Sequence, residues 1–142
     1  MEILTIENKT HEKFLRQKTV VFDFSKFSRA QITDLLKNMR ETMHRAPGVG
    51  LAANQVGLPY RMFVAQVAGK SYTIFNPEII KYSNEMSQLE EGCLSIPKTF
   101  GTVERSTRVE LRGFDRYGKS LKLKVMGLLA RVFQHEVDHL DG

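Results

Sequence analysis

The chain has 142 residues, 42% of them hydrophobic, enough to bury one core and too few for two independent ones. Its formal charge of +5 is spread without a dense Lys/Arg run, so a solvated basic surface explains it better than a DNA-binding motif, although RNA-rich assemblies or anionic surfaces suit it as neighbours. A single cysteine excludes an intramolecular disulfide, no window approaches the ~20 apolar residues of a membrane span, and Met1 to Thr10 has no export signal; together these imply a soluble, unexported protein in a reducing compartment.

No internal repeat or Pro/Ser-rich linker divides the sequence, which agrees with one domain over residues 1–142. The first long element is an amphipathic helix. Ser28 and Gln31 form a capping box, and Ile32, Leu35, Leu36, Met39 and Met43 recur at helical spacing until Ala46, Pro47 and Gly48 stop the pattern. Strand candidates follow at Arg61 to Val67, Tyr72 to Phe75 across a Gly69 turn, and Thr107 to Phe114. Ser120 to Val125 alternates most clearly, with Leu121, Leu123 and Val125 on one side and Lys122 and Lys124 on the other, after a turn at Asp115 to Gly118. A second helix begins near Met126 and carries Leu128 and Val132 on the face of His135 and His139. The expected class is α+β, with antiparallel strands packed around that C-terminal helix and one N-terminal amphipathic helix.

Chemistry concentrates in His135, Glu136, Val137, Asp138, His139. Histidines four apart share a helix face and can reach one ion, and the glutamate beside the first can contact a water there, which is the HExxH arrangement of zinc-dependent hydrolysis. Such a site needs three protein ligands, and the third has to come from upstream, where Cys93, His11, His44 and several carboxylates are available. Cys93 is the strongest of these, because thiolate suits borderline metals and the residue sits in the polar turn Glu90 to Ser95 beside Gly92. The stretch Pro47 to Gln55 lacks the pattern of a phosphate loop. Its glycines permit close backbone approach to a ligand or strand, and Gln55 adds an amide donor and acceptor.

Three segments, GVGLAANQ at 48 to 55, EGCLS at 91 to 95 and HEVDH at 135 to 139, resemble in order and spacing the three motifs of peptide deformylases, with NPEI at 76 to 79 and GLLARVFQHEVDHLDG at 127 to 142 extending the likeness. The resemblance implies one divalent metal ion held by Cys93, His135 and His139, with Fe²⁺ as the physiological ion and Zn²⁺, Ni²⁺ or Co²⁺ as replacements in a preparation. It implies Glu136 as general acid/base, Gln55 and the Leu94 N–H as oxyanion donors, and removal of the formyl group from the N-terminal formyl-methionine of new polypeptides, releasing formate. Val49 and Gly50 would then bind peptide backbone beside Gly92, Leu128 and Val132 would line a pocket for the methionine side chain, and a Glu91–Arg105 pair would fix the turn carrying Cys93. The expected setting is a monomer in the cytoplasm of a bacterium or phage-infected host, or in an organelle. Family members commonly continue past the last motif whereas this sequence ends at Gly142, so a short form is expected, with a weakened prospect of ribosome contact. Two other enzymes compete: a non-deformylase HExxH peptidase, which lacks a downstream ligand here, and a thiol hydrolase using Cys93 as nucleophile.

Overall fold

A computed structural model describes residues 1–93 and 95–142, with residues 97–100 described by their backbone alone. A short helix, Lys9–Leu15 (α1), opens under the Asn8 side chain; it buries only Leu15, so its seven residues carry no legible apolar stripe. The long helix Arg29–Arg45 (α2) begins at the expected capping box, with Ser28 Oγ accepting from the Gln31 N–H at 3.1 Å and Gln31 Oε1 accepting from the Ser28 N–H at 2.8 Å. It stops at Ala46, where the following proline disfavours another helical residue.

Among the described residues seven strands follow: Gly50–Ala52 (β1), Met62–Val67 (β2), Lys70–Tyr82 (β3), Met86–Cys93 (β4), Ile96–Ser106 (β5), Arg108–Phe114 (β6) and Ser120–Met126 (β7). An antiparallel sheet runs in the order β1-β2-β3-β6-β7, while β4 and β5 form a separate antiparallel hairpin. The helix Gly127–Leu140 (α3) closes the series directly after β7. The class is the expected α+β, and the four strands read from the sequence are present, but three differences stand out. The segment from Tyr72 continues to Tyr82, because an irregularity at Asn76 and Pro77 lets the strand bend and go on pairing with β6; Asn76 adopts φ 51° there, and its side chain bonds both backbone groups of Phe22. The residues from Glu90, expected as a turn, instead end strand β4, whose burial shows no apolar alternation to betray it. Strand β1, three residues long, was beneath the resolution of any periodicity.

Strand β2 explains how one sheet serves two helices. Met62 and Val64 point into a cluster with Ile32, Leu36, Met39 and Met43 of α2, while Phe63 and Ala65 point into a cluster with Val132, Phe133, Val137 and Leu140 of α3. Burial on both faces accounts for its four consecutive buried residues, where a half-exposed strand would alternate. The α3 helix is thereby fixed against the sheet along its apolar face, and its opposite side turns toward the β4–β5 hairpin and the N-terminal end of β1. Met39 is fully buried at the α2 contact. Met39→Ala should therefore lower the unfolding free energy by about 2–5 kcal/mol in urea titration, with no change in the metal the folded protein takes up.

Candidate metal centre and active site

Three donors that are far apart in sequence meet at one point. Cys93 Sγ lies 3.1 Å from His139 Nε2, His139 Nε2 lies 3.2 Å from His135 Nε2, and all three atoms fall within 4.8 Å of one another. Such separations are of the size expected for donors bound ~2.0–2.3 Å from a common ion. His11 and His44, the other histidines, take no part in this cluster. The helix α3 supplies both imidazoles through its i, i+4 spacing, and the hairpin supplies sulfur from the last residue of β4.

The electrostatics of the cluster fit a bound cation. Burial pulls the His139 imidazole down to about 4, with His135 and Arg105 adding to the effect, so His139 offers a neutral lone pair. Burial also pushes the Cys93 thiol up, opposed by hydrogen bonds from the Ser95 and Ile96 backbone. A thiol held protonated by burial is the opposite of an activated nucleophile, whereas a divalent ion in its place would stabilise the thiolate. His135 faces the cluster through Nε2, and its Nδ1 sits 3.0 Å from Glu91 Oε1. A proton on Nδ1 donated to that carboxylate leaves the Nε2 lone pair free for an ion.

Glu136 occupies the wall beside these donors. Its Oε1 is buried without a hydrogen-bond partner among the described residues. Burial pushes this carboxyl up to about 8, opposed by the Arg105 charge and reinforced by that of Glu91. An orphaned acid in such a position is the kind of group that a reaction, rather than the fold, requires. Strand β1 makes room for it: a Cβ on Gly50 would overlap Glu136 Oε2, so glycine is the residue that lets strand and carboxyl approach. Gln55, in a 3-10 turn after β1, is buried; its Oε1 accepts from the Ala52 N–H at 2.9 Å, and its Nε2 points to Ser95 Oγ at 3.2 Å and Cys93 Sγ at 3.7 Å.

A cleft of about 440 Å³ opens over Glu136 and brings together every substrate-binding residue expected from the sequence: Val49, Gly50, Gly92, Leu128 and Val132. Val132 is buried in its wall, while Leu128 and Val49 stand half-exposed at its rim. Leu94 lies outside the described residues. The Glu91–Arg105 pair forms as expected, two-pronged at 2.8 and 3.0 Å, and Arg105 also donates to Asp138 at 2.7 Å. Glu91 remains ionised: burial pushes it up, but hydrogen bonds from Arg105, His135 and Arg131 outweigh that and hold it down to about 2.

Four participants were not anticipated. Ser95 stands against Gln55, and its carbonyl accepts from the Ile6 N–H at 3.0 Å; Asn54 donates to the His139 carbonyl at 2.6 Å; Asp138 and Arg131 extend the Glu91 network. Asn54, Ser95 and Asp138 lie within the three motif segments but had no role assigned, and Arg131 stands out as a charge one helical turn before His135 in a largely apolar run.

A helix-borne HExxH segment joined by a thiolate from a hairpin defines the donor set of a mononuclear metallohydrolase. The family model for polypeptide deformylase matches residues 1–142. A peptide deformylase of Syntrophomonas wolfei is 47% identical over 114 residues, covering 80% of this chain and 74% of that one. Among solved structures, the peptide deformylase of Thermotoga maritima superposes with a TM-score of 0.88 at 35% identity, covering 99% of this chain and 90% of that one. The peptide deformylase of Synechococcus elongatus, solved in complex with actinonin, gives a TM-score of 0.89 at 32% identity, covering 99% and 74%. The chain belongs to the polypeptide deformylase family.

The unusual acid at Glu136 has a consequence for stability. Its folded value near 8 lies above the ordinary 4.5, so the stability it contributes below pH 4.5 is lost as pH rises through 8 in metal-stripped protein. Glu136→Gln keeps the shape and removes that titration. Metal-stripped Glu136→Gln should therefore be more stable than stripped wild type at pH 8.5, by at most roughly 5 kcal/mol, and the gap should close toward pH 4.5. Parallel urea curves for the two proteins across that range would count against the assignment.

Proposed function

We propose that the protein removes the formyl group from the N-terminal formyl-methionine of new polypeptides, releasing formate and a free amine. One observation carries the reading: in a chain of the deformylase family, three ligand atoms within 4.8 Å of one another stand beside a buried, unpartnered Glu136 carboxyl at the floor of a 440 Å³ cleft. Cys93, His135 and His139 would hold one divalent ion, Fe²⁺ in the cell, with Zn²⁺, Ni²⁺ or Co²⁺ able to replace it; thiolate and imidazole donors suit all four. When bound there, the ion supplies Lewis acidity, polarising the formyl carbonyl and making a water acidic near neutral pH.

The chain's own groups do the rest. Glu136 takes a proton from the attacking water and delivers it to the departing amine, a shuttle suited to a carboxyl whose burial gives it a strong hold on a proton. As negative charge grows on the formyl oxygen, the Gln55 amide and the Leu94 N–H donate to it; Gln55 is already anchored through its Oε1, which leaves its amide N–H₂ aimed at the site. Gly50 opens β1, the edge strand of the sheet, and Val49 precedes it, where an extended peptide can pair with backbone, and Gly92 lines the same cleft. Leu128 and Val132 offer apolar surface to an unbranched methionine side chain. Glu91 and Arg105 hold His135 and the end of β4 in place. The enzyme would act as a monomer in the cytoplasm or an organelle, on chains emerging from the ribosome, whose anionic surface matches the basic charge of this protein. Direct nucleophilic attack by Cys93 is disfavoured by the upward push on its thiol.

Anaerobically prepared protein should release formate from formyl-Met peptides and none from acetyl-Met peptides, and a chelator should abolish the activity. Formate-free incubation with full metal content would sink the reading. Glu136→Ala should keep its metal and lose at least roughly 10²-fold in kcat, whereas Cys93→Ala should lose metal and activity together. Actinonin, found in the Synechococcus elongatus structure, should inhibit the loaded enzyme.

A further inference from the structure

The i, i+4 stripe of α3 that carries His139 and His135 continues one turn back to Arg131. Arg131 is only 5% exposed, and a guanidinium is seldom buried without a full set of acceptors. Its set lies entirely on the β4–β5 hairpin. Nη1 donates to Glu91 Oε2 and, at 3.0 Å, to the Val103 carbonyl; Nη2 donates to the Ser87 carbonyl at 2.7 Å and to Ser87 Oγ at 3.0 Å. One side chain of the helix thus grips both strands of the hairpin that ends in Cys93.

That grip matters because the hairpin is not part of the five-stranded sheet. The ladder of the five-stranded sheet therefore does not carry the sulfur to the two imidazoles, and side-chain contacts tie the hairpin to α3. Gln134 contributes a second attachment, accepting from the Ser106 N–H at 3.2 Å and donating to its carbonyl at 2.9 Å, at the far end of β5. Arg131 is the attachment nearer to Glu91, and Glu91 is the residue that meets His135 Nδ1.

We propose that Arg131 is a positioning residue, a latch that docks the hairpin on α3 and so holds Cys93 in register with His135 and His139. The inference rests on the proposed metal site. It separates Arg131 from residues that merely line the cleft, because a latch acts on the ligand geometry before any substrate arrives. The planar, forked guanidinium serves where an ammonium could meet only part of the acceptor set.

The test uses the full-length protein loaded with Co²⁺, in wild type, Arg131→Met and Arg131→Lys. Arg131→Met should bind Co²⁺ roughly 10–100-fold more weakly in chelator competition. It should also weaken the thiolate-to-cobalt absorption, and lower kcat on a formyl-Met peptide with KM little changed. Arg131→Lys should recover part of the affinity and of the absorption. Wild-type affinity and an unaltered absorption in Arg131→Met would overturn the latch, as would a variant whose only change is a raised KM, the mark of a cleft-lining role. If circular dichroism finds Arg131→Met unfolded, Arg131→Lys decides: a smaller shift in the same direction supports the latch, and wild-type values overturn it. Affinity and absorption need no turnover, so a wild type that binds Co²⁺ yet releases no formate would remove the deformylase reading while the latch is still judged on its own data.

Discussion

The carboxylate of Glu91 is the constraint on which the site depends. It lies on β4, two residues before the sulfur, and it receives Arg105 from β5 together with Arg131 and His135 from α3. Two arginines and an imidazole on one largely buried acid leave the carboxylate ionised and each of its oxygens shared. The pair of guanidiniums compensates the desolvation of the acid, and the acid compensates theirs; removing one partner would leave a buried charge without its counterpart. Through this single group the hairpin, the helix and the orientation of one imidazole are set together.

The sheet supplies the other half of the positioning. Because β2 is buried on both faces, α3 cannot tilt without disturbing the cluster of Phe63, Ala65, Phe133 and Val137. The helix therefore presents Arg131, Gln134, His135 and Asp138 to the hairpin, and Glu136 to β1, at fixed azimuths. Gly50 then sets how closely β1 can approach Glu136. Extra bulk at that point would force the acid to move, so the glycine limits the position of the carboxyl from one side as the helix does from the other.

Elements with strong period were legible in the sequence, and elements held by tertiary contact were not. The α2 stripe and its capping box, the alternation of Leu121, Leu123 and Val125, and the HExxH spacing on α3 are local patterns, and each corresponds to an element where expected. Strand β4 has no apolar alternation, its hairpin meets the helix through Arg131, Arg105 and Gln134, and polar contacts between distant residues leave no period. The Glu91–Arg105 pair follows from the family resemblance together with the need of metal ligands for orientation. Arg131 was within reach of the residues alone, since an arginine in register with two histidines inside an apolar run asks for a buried acceptor; reading the face by Leu128 and Val132 passed over it.

The charges of the site also explain why its parts belong together. In the absence of a cation, burial leaves the Cys93 thiol and the Glu136 carboxyl protonated and the His139 imidazole unprotonated, so each of the three avoids charge, two by holding a proton and one by releasing it. With a divalent ion held by Cys93, His135 and His139, the thiolate and the Glu136 carboxylate would be the favoured forms, and binding would release protons. Ligand affinity and the proton affinity of Glu136 are then two expressions of the same low-dielectric environment. A more polar pocket would lower the proton affinity of Glu136 and weaken its capacity to return a proton to a leaving amine.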